Sequence, residues 1–403
     1  MKIIKKYIIN DMLLNLIATA IPVAVLQLVI LPMLSSRMGS DEYGLAVTIL
    51  SVFNVIPASF GNVLNNIRLL YENKYRENQY TGDFQVILLI MCILNFIIMT
   101  VLTIYYEGSL KGIHLFLILI TAFVWLLKEY YIVAFRIQIN YKAIVLNNLI
   151  MVIGYGIGFV LYIWSDYWQM IYLAGYTFSL VYVMCHSDLW KEKIGITPFF
   201  RYTSIQTILL FISGLFGRIL SYADRMLLYP MLGGTMVSIY FVATLFGKII
   251  SMAITPVNSV ILTYLVKKEK KNDKIFKRTL LTGSIVCIIG YLFCLILSRP
   301  VLGFLYPQYI NNAMPYIFIT TATFVLGALI GLVNPFIMKY FDMKWQMAIN
   351  GGTAVVYVTV CLTLLHFYEL WGFCIGAFVA YIIKLLFMLL IYFRCNIKNN
   401  TNT

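Results

Sequence analysis

Residues 113–134 read IHLFLILITAFVWLLKEYYIVA, an apolar run long enough to cross the hydrocarbon core of a bilayer, interrupted near its end by Lys128 and Glu129. About 20 apolar residues in a helix span that core, whereas a buried helix in a soluble protein is seldom so long. The rest of the chain repeats the pattern. Of 403 residues, 62% are hydrophobic and 11% charged. Twelve spans are expected, at approximately 12–34, 45–67, 84–105, 113–134, 143–163, 169–185, 204–223, 237–266, 279–298, 314–338, 346–365 and 372–393. The sixth is short, and Pro256 in the overlong eighth predicts a kink. The expected fold is an all-α polytopic membrane protein.

With the amino terminus in the cytoplasm, the cytoplasmic loops and termini carry 3, 3, 2, 3, 7, 2 and 2 Lys/Arg residues in order, and the opposite loops only Arg37, Lys111, Arg225 and Arg299. That asymmetry places both termini in the cytoplasm. The net charge of +14 is then mostly a topology signal, although the cluster Lys267, Lys268, Lys270, Lys271, Lys274, Lys277 and Arg278 also suits anionic headgroups, making membrane lipids expected partners. Nucleic acid is not an expected partner, because the cations form no single patch. The first run is too long for a signal peptide. Seven cysteines imply no disulfide framework, and three histidines at no ligand spacing imply no metal; no cofactor is expected.

The longest loops, 68–83, 186–203 and 267–278, are too short to bury a core of their own, so transport is the default reading. The spans divide six and six, with an amino-terminal lobe 1–190, a cytoplasmic linker 191–203 and a carboxy-terminal lobe 204–403. Leu34, Gly39, Gly44 and Leu45 recur 194 positions later as Leu228, Gly233, Ser238 and Ile239, a faint parallel repeat that sets Asn54 against Lys248.

Lys128, Arg218, Lys248 and Lys384 lie deep within spans. A cation near the bilayer midplane costs about 2.5 to 3.5 kcal/mol, so four imply a cost of order 10 kcal/mol that a hydrated cavity or an anionic cargo would offset. Glu129 is the one acidic residue placed within a span, leaving the interior at a net +3 and favouring an anionic cargo. In span 8, Tyr240, Thr244, Lys248, Ser251, Thr255 and Asn258 fall within about an 80° arc. Hydroxyl bonds between helices account for the Ser and Thr residues there but not for an ammonium. Span 2 has a companion stripe of Ser51, Asn54, Ala58, Gly61, Asn65 and Arg68, with snorkelling as the alternative account of Arg68.

In span 7, Gly214, Arg218, Tyr222 and Arg225 share a face, and the planar guanidinium fork suits phosphate. Asp224 is expected in a surface ion pair with Arg225. Lys384 follows the small residues Gly376, Ala377 and Ala380. Neighbouring side chains leave a helix about 100° apart, so Lys128 and Glu129 are each expected to pair elsewhere or meet water. Glu129 is a candidate coupling residue, a structural ion pair being the alternative. The expected cavity set is Arg218, Lys248, Lys384, Lys128, Arg68, Asn54, Thr244 and Ser251.

Arg37, Gly39, Tyr43 and Gly44, then Gly61 and Arg68, then Asp224-Arg225, Gly233, Ile239-Tyr240 and Ala243, and finally Phe304-Leu305-Tyr306, Tyr309 and Ala313 carry a likeness over essentially the whole chain. On these residues the chain resembles the lipid-linked oligosaccharide flippases (O-antigen and capsular repeat-unit translocases) of the multidrug/oligosaccharidyl-lipid/polysaccharide (MOP) exporter superfamily, a MATE-like fold. Ser238 and Pro307 stand where that family usually has glycine. The resemblance implies two six-helix lobes rocking in the bacterial cytoplasmic membrane, and an undecaprenyl-diphosphate-linked oligosaccharide as cargo. It also implies association with a polysaccharide polymerase and glycosyltransferases; a coupling ion, H+ or Na+, stays open.

Rival classes leave weaker traces. A multidrug cation antiporter of the same superfamily should carry several intramembrane carboxylates, and a sugar facilitator a G-x-x-x-D-R-like turn that 68–83 lacks. An ATP-driven exporter needs a P-loop, and Gly247-Lys248 is mid-membrane with Ile249 following. A membrane-embedded glycan-modifying enzyme needs an external catalytic group, for which His366 and Glu369 are too few.

Overall fold

The computed structural model describes residues 20–108, 112–250, 261, 265 and 271–394. Among the described residues the regular secondary structure is all helical. α1 (Ala20–Ser35) includes a π-helical stretch at Leu26–Ile30. Gly39 then caps α2 (Ser40–Glu77), which Pro57 breaks in two, because proline supplies no N–H and clashes with the preceding turn. α3 (Asp83–Glu107), α4 (Gly112–Ile137, bent at Ile132), α5 (Tyr141–Ser165) and α6 (Gln169–Cys185) follow, with the α5 start capped by the Asn140 side chain.

The long helical segment Phe200–Ala243 is interrupted at Gly233, whose φ of +81° only glycine adopts without strain, giving α7 (200–232) and α8 (234–250). α9 (Asp273–Leu305) and α10 (Ile310–Tyr340) precede a second long segment, Met343–Arg394, broken at Tyr368 and Glu369 into α11 (343–367) and α12 (370–394). Among the described residues, nine helical segments are long and apolar enough to cross a membrane. The last of these is long enough to cross twice, and two shorter apolar helices, α1 and α6, bring the set into line with the twelve expected spans.

Three expected loops are corrected, one being 366–371, which is helix apart from Tyr368 and Glu369. The interval 68–83 is helix as far as Glu77, and the interval 224–236 between spans 7 and 8 is helix apart from Gly233, so that connection is a sharp break. Pro256 and its expected kink lie outside the described residues.

The described chain divides into two compact units, Met1–Met231 and Leu232–Thr403, a boundary later than the loop 186–203 at which the sequence divides. The reason is that α7 packs against α2: Phe211 stacks on Phe60 with ring centroids 4.6 Å apart. Within the first unit, α5 and α6 meet backbone to backbone, since a Cβ on Gly154 would stand 2.8 Å from Gly175 Cα. The segment 186–203 is tied down as well. Asp83 accepts the Thr197 N–H at 2.7 Å and the Tyr75 hydroxyl at 2.8 Å, and Gln85 donates to the Leu189 carbonyl at 2.9 Å. In the second unit the core gathers around Phe276, stacked on Tyr392 at 3.6 Å and edged by Phe336.

Candidate functional site

In the first unit, α7 runs antiparallel along α2 and brings three polar side chains onto it. Arg218 Nη1 donates to the Asn54 carbonyl at 3.2 Å, the Tyr222 hydroxyl donates to Asn54 Oδ1 at 3.1 Å, and Arg225 Nη1 donates to Ser51 Oγ at 3.1 Å. The Asn54 carbonyl is free for this because it lies in the last turn before the Pro57 break, where helix carbonyls lose the donor four residues on. Asp224 and Arg225 are both 6% exposed, buried where a surface pair is expected, and Asp224 Oδ1 accepts the Arg225 backbone N–H at 2.9 Å.

Glu129 sits where Gly61 lets α2 and α4 close on each other. A Cβ at position 61 would stand 2.5 Å from Glu129 Cβ and 2.6 Å from the Leu126 oxygen. Asn65 secures the same crossing by donating to the Glu129 carbonyl at 2.9 Å. The expectation that Lys128 and Glu129 pair elsewhere is wrong: Lys128 Nζ folds back onto Glu129 Oε1 at 2.9 Å, because its flexible four-carbon stem spans the angular offset between neighbours. The same oxygen receives Trp125 Nε1 at 3.3 Å, and the Tyr176 ring lies 5.6 Å from the ammonium. Arg218 lies within electrostatic reach of this carboxylate.

Arg68 belongs to a separate cluster. Its Nε donates to Glu72 at 2.7 Å and its two terminal nitrogens to Glu192 at 2.9 and 2.7 Å, with the guanidinium 4.6 Å from the Phe84 ring centroid. All three nitrogens are thus on carboxylates. Sequence reasoning missed Glu192, which lies in the linker 124 residues further on, and no local pattern could have flagged it. It also counted Arg136 as a loop cation. α4 continues through Ile137, and Arg136 Nη1 donates to Asn65 Oδ1 and, at 3.0 Å, to Asn66 Oδ1.

In the second unit, the Thr244 N–H bonds to the Tyr240 carbonyl and the Lys248 N–H to the Thr244 carbonyl, each at 3.0 Å, so the expected stripe is helical that far. Ser251, Thr255 and Asn258 lie outside the described residues. The Thr244 hydroxyl is buried and returns to the Phe241 carbonyl at 2.9 Å. Lys248 Nζ is shielded and has no hydrogen-bond partner among the described residues; it lies 5.0 Å from the Phe241 ring centroid. Lys384 Nζ lies 3.5 Å from Asn350 Oδ1, and Gly376 brings α12 against α11, its Cβ position 2.8 Å from Cys361 Cα. The structure therefore gathers Asn54, Arg218, Lys128 and Glu129 in the first unit, and leaves Arg68 to the linker.

No protein-family model matches the sequence, and no curated protein matches it. Solved structures do match the fold. The lipid II flippase MurJ in an inward closed conformation superposes with a TM-score of 0.76 at 15% identity, covering 94% of this chain and 87% of that one. An inward-facing multidrug resistance MATE family transporter of the MOP superfamily gives 0.66 at 12% identity, covering 93% and 97%. The Vibrio cholerae MATE transporter VcmN in its bent form gives 0.57 at 12% identity, covering 96% and 95%. With helices of this number, length and order superposing over nearly the whole of each partner, the chain has the all-α, polytopic membrane fold of the MOP/MATE transporter structures.

Proposed function

We propose that this chain is a non-enzymatic flippase that carries an undecaprenyl-diphosphate-linked oligosaccharide from the cytoplasmic to the external leaflet by alternating access, for surface polysaccharide assembly. Arg218 is the observation that carries the reading. It is a guanidinium inside a membrane helix, in no ion pair among the described residues, and its one described hydrogen bond goes to a neutral carbonyl. A charge held that way is left able to attract an anion, and its remaining N–H groups match two phosphate oxygens. Lys248, shielded and without a hydrogen-bond partner among the described residues, supports the same cargo. The structural likeness to a lipid II flippase favours a lipid-linked substrate. A few separated cations also suit turnover, since cargo held by one dense cluster would be slow to leave.

The likeness to MATE transporters favours a second reading, a cation antiporter. That reading needs an available carboxylate; Glu129 is engaged by Lys128 and Trp125, and the buried Asp224 accepts the Arg225 N–H.

Arg218→Ala and Lys248→Ala are each expected to abolish export of surface glycan and to leave lipid-linked oligosaccharide on the inner leaflet, with the protein inserted normally. Normal export by both single variants refutes the assignment.

A further inference from the structure

Two guanidinium groups, Arg68 on α2 and Arg136 reaching α2 from α4, are treated in opposite ways. Arg68 has every nitrogen on a carboxylate. Arg136, half-buried in the last turn of α4, uses one nitrogen on the amide oxygens of Asn65 and Asn66 and forms no ion pair among the described residues. Asn66 Nδ2 in turn donates to Asn62 Oδ1 at 2.9 Å. Each member of this chain donates to the next, so it ends in the Asn62 amide, a donor on the half-buried side of α2. A cation held by neutral amide oxygens, in no ion pair among the described residues, is the electrostatic inverse of the Arg68 cluster.

We infer that Arg136, Asn66 and Asn62 form a loading site for a diphosphate at the end of the first unit that the charge bias assigns to the cytoplasm. This rests on the flippase reading and deepens it. The free edge of the Arg136 fork takes two phosphate oxygens, and the Asn62 amide takes a third. Asn66 and Asn54 are separated by roughly 18 Å of helix rise, so the headgroup meets Arg136 before Arg218.

The test uses the full-length protein in phosphatidylcholine nanodiscs, titrated with inorganic pyrophosphate and, separately, with undecaprenyl diphosphate in the lipid. In an Arg218→Ala/Lys248→Ala background both probes are expected to bind. Adding Arg136→Ala should weaken both by roughly tenfold to a hundredfold. Asn66→Asp separates binding from bracing. It gives Arg136 a carboxylate partner, so the α2–α4 contact and the melting temperature should hold while anion affinity falls by a similar factor.

Unchanged affinity in both Arg136→Ala and Asn66→Asp overturns the site, as does lipid binding that survives Arg136→Ala, which would assign recognition to the polyprenyl tail. Loss of pyrophosphate binding in the Arg218→Ala/Lys248→Ala background alone also overturns it and leaves the flippase reading standing. Retained binding together with retained transport in that background does the reverse.

Discussion

Glu192→Gln tests how firmly the linker is held to the first unit. The substitution keeps the side chain's size but removes one charge and one of the paired bonds of 2.9 and 2.7 Å to Arg68. Removing one partner of a buried ion pair costs about 3 to 5 kcal/mol. Two features lower that figure: Arg68 keeps Glu72 at 2.7 Å, and the Glu192 side chain is 18% exposed. The amide oxygen also still accepts one bond. A loss of about 2 kcal/mol is therefore expected.

The measurement is reversible unfolding in mixed micelles, run as a double-mutant cycle with Arg68→Leu. The expected coupling is about 1 kcal/mol or more, so the double variant should lose less than the sum of the singles. Limited proteolysis gives an independent reading, with faster cleavage between residues 186 and 203 in Glu192→Gln. If the two substitutions add within about 0.3 kcal/mol and the linker is cut no faster, the clasp does not hold the linker.

Three further outcomes are expected. Gly61→Leu should destabilise the protein by about 1 to 3 kcal/mol or block its assembly, because the added side chain meets the Leu126 carbonyl and the α4 backbone must move; wild-type thermal stability would contradict the close crossing. Glu129→Gln should lower stability by leaving Lys128 without its carboxylate, and an unchanged dependence of transport on the proton gradient would remove Glu129 as a coupling residue. Tyr222→Phe should cost about 0.5 to 1.5 kcal/mol in an unfolding titration and leave export intact, since Arg218 binds the Asn54 main chain and Tyr222 only its side chain.

Much of the fold was legible because the signal was long-range and redundant: a run such as 113–134 can be little other than a membrane helix. The breaks were harder to read. Gly233 and Tyr368-Glu369 replace expected loops with breaks of one and two residues, and hydropathy does not distinguish a short polar loop from a kink. For the polar residues, helical phase correctly grouped Arg218, Tyr222 and Arg225 on one face. Phase gave no warning that Lys128 would reach its own neighbour, because that depends on stem flexibility and on the Gly61 crossing beside it. Partners remote in sequence, Glu192 for Arg68 and Asn65 for Arg136, required the packing of α2, α4 and the linker to be known.

Because the acceptor that holds Arg218 belongs to the peptide group of residue 54, no side-chain exchange at that position can delete it. A scan of replacements there would remove the Tyr222 bond and leave the arginine held. The sensitive position is Pro57, three residues on, where any amino acid with an amide hydrogen invites the helix to straighten and reclaim its own oxygens. The grip on the arginine is thus encoded by an imino acid three residues beyond the oxygen that the arginine binds.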